Sequence, residues 1–211
     1  MFDYANYNLL NYLHVPGASY IELNDYANWD TDSLEIRCSW DSSEVNEMVL
    51  SFGGAETKAG WLYSYQGSQY IDLYYFVDSG SQIRLGYCPQ VESLETHTYT
   101  IDLQNKAGNR DWESNLAMSN GSVTSHCDYK IRLFSGGGAS YANAYYFNGK
   151  FYHFTQRRSG NVIHELRPAQ RRSDNTLGLY DTIANVFYTN SGTNAFIAGP
   201  VAGGGGIKYD S

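Results

Sequence analysis

Apolar and polar positions alternate along this chain in short bursts, each closed by Gly, Asn, Asp or Ser. Leu34 to Trp40 is one burst, and Glu47 to Phe52 before Gly53-Gly54 is another. Trp61 to Tyr65, Gln69 to Val77, Gln82 to Tyr87, Thr98 to Leu103, Lys130 to Phe134 and Lys150 to Arg157 continue the series. A period of two over four to nine residues predicts strands with one face inward, and the turn residues between them predict an antiparallel arrangement. In the fourth burst Ile71, Leu73, Tyr75 and Val77 share the face expected in the core, and Tyr70, Asp72, Tyr74 and Phe76 share the other. In the last burst, strict alternation puts Phe151 and His153 on one face and Tyr152 and Phe154 on the opposite one. Only Asp111 to Met118 hints at a turn of helix, without convincing caps. The pattern predicts an all-β, two-sheet antiparallel sandwich spanning residues 15–201. Residues 1–14 read as an N-terminal arm and 202–211 as a flexible glycine-rich tail.

Composition narrows the function classes. The 211 residues carry 14 Lys and Arg against 22 Asp and Glu, for a net charge of −8. A phosphate-backbone binder draws its affinity from clustered cations, so nucleic acid is not an expected partner. The one basic cluster, Arg157, Arg158, Arg167, Arg171 and Arg172, reads as a solvated rim. No run of about 20 apolar residues is present to span a membrane. Met1 to Tyr12 lacks the basic start and apolar run of a secretory signal, so the protein is expected either to be cytoplasmic or to leave its cell by another route, such as lysis. Three cysteines without paired short spacing point neither to a disulfide framework nor to zinc, and Cys38 reads as a small buried apolar residue. The 20 tyrosines stand out: each offers an apolar ring and a polar tip, useful in wet sugar sites and at protein interfaces alike.

The C-terminal third carries a resemblance. It reads Asn148-Gly149-Lys150-Phe151-Tyr152-His153-Phe154, Leu166-Arg167-Pro168, Leu177-Gly178-Leu179-Tyr180-Asp181, then Phe187-Tyr188-Thr189-Asn190 and Gly192-Thr193-Asn194-Ala195-Phe196-Ile197-Ala198-Gly199. This block resembles the close of concanavalin A-like lectin/glucanase (laminin-G-like) jelly-roll domains found in bacteriophage and prophage structural proteins. Leu10 to Leu13 and Ala18 to Leu23 are similar to the opening strands of that family. The resemblance implies a jelly roll and, by association, a virion protein. Gly178 and Gly192 are expected where the chain reverses, and Phe187, Tyr188 and Phe196 are expected to plug one end of the sandwich.

Candidate chemistry is sparse. A glucanase needs two carboxylates flanking the scissile bond, and Glu44, Glu47, Glu92, Glu95 and the isolated Asp72 do not supply that spacing. The five histidines form no metal-ligand motif, and His153 reads as a packed, hydrogen-bonded residue. Asn24, Asp25, Asn28, Asp30 and Asp32 gather oxygens in one loop as calcium requires, but without the spacing of a binding loop, so turn formation is expected instead. No catalytic residue, metal or cofactor is assigned. For sugar binding, Trp61, Tyr63 and Tyr65 alternate along one strand and Tyr70, Asp72 and Tyr74 along the next, with Arg84 beyond. If the strands are neighbours, these residues form an aromatic platform with polar flanks. The other reading of the same alternation is that Trp61, Tyr63 and Tyr65 face the core, since a period of two marks a face without saying which one is inward. Trp29, Trp40 and Trp112 are further contributors from loops.

The leading expectation is a non-enzymatic bacteriophage virion protein (fibre, decoration or tail-associated), homo-oligomeric, that contacts bacterial surface glycans or other virion proteins. The alternatives are a bacterial carbohydrate-binding module and a glycoside hydrolase on the glucanase scaffold.

Overall fold

The alternation is realised as strands throughout. A computed structural model describes residues 2–41, 47–52, 60–65, 70–76, 82–84, 95–105, 107–111, 113–117, 130–136 and 145–203. In chain order the strands are β1 (Tyr7–Leu9), β2 (Leu13–Pro16), β3 (Ile21–Tyr26), β4 (Asp32–Trp40), β5 (Glu47–Phe52) and β6 (Gly60–Tyr65). Next come β7 (Tyr70–Phe76), β8 (Gln82–Arg84), β9 (His97–Asp102), β10 (Ala107–Arg110), β11 (Glu113–Ala117) and β12 (Lys130–Leu133). The last five are β13 (Asn148–Arg158), β14 (Asn161–Arg171), β15 (Leu177–Asp181), β16 (Val186–Thr189) and β17 (Ile197–Ala198). For β6, β7, β8 and β11 the description is of the backbone. Within the stretch Asp111 to Met118, Glu113–Ala117 forms strand β11 rather than a helical turn, paired with β10 through a bulge.

The strands form two antiparallel sheets. The larger runs β11-β10-β9-β4-β13-β14-β15-β16, with β1 on β14, β2 on β13 and β17 on β2. The smaller runs β3-β12-β5-β6-β7-β8. Their facing sides bury Leu34, Ile36, Cys38 and Trp40 of β4 against Leu50 and Phe52 of β5, Ile21 and Leu23 of β3, and Ile131 and Leu133 of β12. Phe134, Phe147, Phe151 and Phe196 interlock edge-to-face or stacked at one end of this core, with ring centroids 5.1–6.0 Å apart. Cys38 is fully buried, and the apolar surroundings push its thiol pKa well up. As expected from sequence, it acts as a core residue.

Two features of the strands depart from the simple pattern. A bulge between Phe151 and His153 inserts Tyr152 as an extra residue opposite β4. The inserted residue resets the alternation, so Phe151 and Phe154 both point into the core, fully buried, while Tyr152 and His153 lie on the outer side. The expected pairing of Phe151 with His153 on one face is therefore corrected. Similarly, Gly178 is not a point of reversal. It lies inside β15, where an added Cβ would stand 2.2 Å from the Tyr188 carbonyl and 2.9 Å from the Phe187 ring. Gly192 is likewise a close approach, with its Cβ position 2.2 Å from the Ala18 carbonyl. Tyr188 and Phe196 do belong to the core. Phe187 does not: it stacks outside, against Tyr7 and under the Arg171 guanidinium.

The larger sheet forks. The first half of β13 pairs with β2 (Lys150 with His14, Phe151 with Leu13), and its second half pairs with β14 (Phe154 with Leu166). The far half of β14 leaves β13 for β1, with Ala169 opposite Leu9. Pro168 sits at this parting, where its missing N–H costs nothing, and its carbonyl accepts from the Leu10 N–H at 2.9 Å. The β13–β14 hairpin turns through Ser159 and Gly160, both at positive φ (49° and 80°), as a two-residue turn matching strand twist requires. The stretch read as an arm contributes β1 and the start of β2.

Candidate functional site

The smaller sheet carries the residues singled out for sugar contact. Strands β6 and β7 are neighbours, with Trp61 opposite Tyr74, Tyr63 opposite Asp72 and Tyr65 opposite Tyr70. Arg84 of β8 stands opposite Tyr74. Residues directly across an antiparallel pair share a face, so all seven belong to one face. Register identifies which face it is. Trp61 lies opposite Ser51, and Ser51 opposite Arg132, whereas Leu62 lies opposite the core residue Leu50. Arg132 is an outward residue that ion-pairs with Glu22 at 3.0 Å and stacks over Tyr20. The seven candidates therefore occupy the face turned away from the core. On β5 that face is covered: Ser51 and Met48 are buried, and the Ser51 hydroxyl donates to the Ser135 carbonyl at 2.8 Å.

Two of the tryptophans proposed as loop contributors are not available. Trp29 and Trp40 are buried in the core, against Phe52 and against Tyr99 and Phe147 respectively. Trp112 lies outside the described residues.

A second concavity escaped the sequence reading. At the fork, on the outer side of the larger sheet, lies a cleft of about 580 Å³. Its floor is Arg37 of β4, Tyr152 and His153 of β13, and Glu165 and Arg167 of β14; Phe2, Tyr4, Leu9 to Asn11, Thr182, Ile183 and Ala202 form its walls. The bulge at Tyr152 places both Tyr152 and His153 there. Phe2 and Tyr4 are held over the sheet by ring contacts with one another and by Phe2 against Tyr7 and Tyr180. The volume falls within the usual range of small-ligand sites.

Charge in the cleft is mostly paired. His153 Nε2 donates to Glu35 Oε1 at 2.9 Å, and this bond holds the Glu35 carboxyl below its ordinary pKa. Glu165 accepts from the Thr182 hydroxyl at 2.6 Å and from Arg167 Nη2 at 2.7 Å, and is likewise held low, chiefly by Thr182. Arg37 differs: its guanidinium lies over the Tyr152 ring, 5.5 Å from the centroid, and among the described residues it has no carboxylate partner. His153 is thus packed and hydrogen-bonded, as expected.

The same pairing recurs elsewhere. His14 bonds Asp41 at 2.7 Å, His97 bonds Asp111, and the buried His164 bonds Asp181 at 2.5 Å with Asp25 at 3.3 Å on its other nitrogen. Burial alone would lower the His164 pKa, but Asp181 and Asp25 outweigh it and raise it. The Asx-rich loop is likewise internally used. Asn28 caps the Asp30 N–H, and Asp32, whose side chain is fully buried, receives Arg158 and Gln156. A cation is already supplied there by the protein. Three of the five arginines read as a rim are also engaged, Arg158 with Asp32, Arg167 with Glu165 and Arg171 with Asp174. Among the described residues no group of three His, Cys, Asp or Glu is arranged to hold a metal.

Of the carboxylates weighed for catalysis, only Glu47 and Glu95 have described side chains. Glu95 is exposed, Glu44 and Glu92 lie outside the described residues, and Asp72 is on β7. Glu47 is buried, accepts the Asn148 N–H at 3.1 Å, and burial lifts its pKa to about 8. A carboxyl with a raised folded pKa gives stability that is complete below the unfolded value of 4.5 and is lost as pH rises toward about 8. Glu47→Gln, which keeps an acceptor for Asn148, is therefore expected to match the parent melting temperature at pH 4 and exceed it at pH 9. A constant difference across that range in thermal melts would contradict the assignment.

No protein-family model matches the sequence, and no curated protein sequence matches it. Solved structures do match in shape. The CBM40 of the Ruminococcus gnavus IT-sialidase is 14% identical over 72% of this chain and 91% of its own, with a TM-score of 0.53. Its complex with α2,3-sialyllactose gives the same figures. A proposed carbohydrate-binding protein of Bacteroides ovatus is 11% identical over 92% of this chain and 62% of its own, with a TM-score of 0.59. At these identities the likeness is one of fold: an all-β sandwich of two antiparallel sheets, shared with carbohydrate-binding domains.

Proposed function

We propose that this chain is a non-catalytic carbohydrate-binding module whose glycan site is the outward face of β6, β7 and β8. The observation that carries the reading is the pairing register, which sets Trp61, Tyr63, Tyr65, Tyr70, Asp72, Tyr74 and Arg84 on one face, away from the core. Sugars bind proteins by laying the C–H side of a ring on an aromatic side chain while hydroxyls bond to flanking polar groups. Four tyrosines and a tryptophan in adjoining rows, with one acid and one arginine among them, have that chemistry. The neighbours in fold support the class, and one of them is described as bound to sialyllactose.

The test is binding of the purified protein to sialyllactose and to an array of bacterial surface polysaccharides. Specific binding is expected, with Trp61→Ala and Tyr74→Ala each weakening it at least about tenfold, the loss of one stacked ring. Absence of any glycan binding, or binding indifferent to both substitutions, would overturn the reading. Release of reducing sugar from a bound glycan would overturn its non-catalytic part.

A second reading, a virion attachment or decoration protein assembled as a symmetric oligomer, is favoured by the closing block from Asn148 to Gly199. It predicts that the chain co-purifies in stoichiometric amounts with phage particles, and its absence from such particles would end it.

A further inference from the structure

We propose that the cleft at the fork of the larger sheet is a second ligand site, on the opposite sheet from the β6–β8 face, and that it takes a sugar acid with its carboxylate on Arg37. The inference stands on the cleft's own chemistry and does not depend on the glycan face.

Arg37 follows Ile36 and precedes Cys38, both fully buried, so alternation turns its side chain outward to the cleft floor. Of the charged side chains in the lining, His153 is bonded to Glu35, and Glu165 and Arg167 to one another. Arg37 alone among them lies against a ring, with no carboxylate beside it among the described residues. The ring is fixed in turn: the Tyr152 hydroxyl accepts from Thr96 at 3.1 Å, and Tyr12 packs 5.9 Å away with the Lys150 ammonium over its face. The guanidinium is thus positioned and has donors to spare in a protein of net charge −8.

A planar fork of N–H donors matches a carboxylate with two parallel bonds. One uncompensated cation matches one negative charge; a phosphate dianion would bring a second charge toward Glu35 and Glu165 without a counter-charge. The rest of the lining combines apolar wall (Phe2, Leu9, Ile183) with hydrogen-bonding groups (Asn11, Thr182), which suits a hydroxylated ring better than a plain aliphatic acid.

The experiment is chemical-shift titration of the intact chain with glucuronate and galacturonate, each beside glucose and galactose, which lack the carboxylate. Both uronates are expected to bind at millimolar concentration at least about tenfold more tightly than their neutral partners, one such step being about 1.4 kcal/mol. Arg37→Gln, an exposed substitution that leaves the melting temperature unchanged, is expected to erase the preference, and Trp61→Ala to leave it intact. Equal binding of acid and neutral sugars, no binding of the uronates, or an Arg37→Gln protein that keeps the preference would each overturn the proposal. So would inorganic phosphate binding as tightly as the uronates. Loss through Trp61→Ala instead would assign the acid sugar to the glycan face.

Discussion

Phe151→Ala and Phe154→Ala are each expected to cost about 3–5 kcal/mol, and Tyr152→Ala between them only about 1 kcal/mol or less. The two phenylalanines are fully buried. Phe151 meets Phe134 edge-on at 5.1 Å between centroids, and Phe154 stands between Ile36 and Leu166 in register. Truncating either removes the transfer free energy of a phenyl ring and leaves a hole that a two-sheet core cannot fully collapse around. Tyr152 is half-exposed on the opposite side, so its loss removes a surface ring contact and a hydrogen bond. In a domain of this size each kcal/mol moves the melting temperature by about 2–4 °C. Thermal melts followed by circular dichroism should therefore show falls of roughly 6–20 °C for the phenylalanines and a few degrees at most for the tyrosine. A strand without the bulge would place Phe151 and Phe154 on opposite faces. One large and one small effect would thus contradict the bulge itself.

Asp32→Ala carries the other large effect, about 3–5 kcal/mol. The side chain is fully buried and accepts from five donors: Arg158 Nε at 2.9 Å and Nη2 at 3.0 Å, Gln156 Nε2 at 2.7 Å, the Asn28 N–H at 3.0 Å and the Thr31 hydroxyl at 3.0 Å. Removing it strips Gln156, itself fully buried, of its shortest bond. Arg158 is left with Asp25 at 3.4 Å and the Tyr26 carbonyl. The cost is mainly that of the groups left behind, since a buried donor without its acceptor loses far more than the bond contributed net. Asp32→Asn, which keeps acceptors but drops the charge, is expected to lose about half as much. Asp174→Ala provides the contrast. It also breaks a bidentate arginine pair, with Arg171, but at the surface, and should change stability far less than Asp32→Ala does. Urea titrations of the three variants check the order, and equal losses for Asp32→Ala and Asp174→Ala would refute the buried network as described.

Both results bear on what the linear pattern can express. Strand identity came through well because it is local. The burst Glu47 to Phe52 is strand β5 to the residue, Trp61 to Tyr65 extends by one to Gly60, and Gln69 to Val77 contains β7 (Tyr70–Phe76). Alternation over six residues needs no knowledge of the partner strand. The same locality hid the bulge at Tyr152. An inserted residue is defined only by two residues facing one on the neighbouring strand, and nothing within Lys150 to Arg157 marks it. Gly178 was misread for a related reason: it is required by the backbone of Tyr188, a neighbour that only sheet pairing supplies.

The candidate sites divide along the same line. The aromatic row on β6 and β7 was legible because both strands alternate, and pairing then aligned what each already displayed. The acid cluster around Asp25 and Asp32 was legible as a set of oxygens, but not that Arg158, 126 residues from Asp32, would neutralise it. The cleft was not legible at all. It exists because β13 and β14 part company, because the first residues of the chain cross the gap, and because a bulge turns Tyr152 and His153 outward into it.

By itself, the sequence determined that this chain is an all-β sandwich and where many of its strands run, since these follow from a period of two and the turn residues that interrupt it. Only the tertiary structure decided the fork in the larger sheet, the buried Asp32 network and the isolation of Arg37 over Tyr152. Each depends on which distant segments meet and in what register, a choice made by the free energy of the whole packed molecule rather than by any stretch of it.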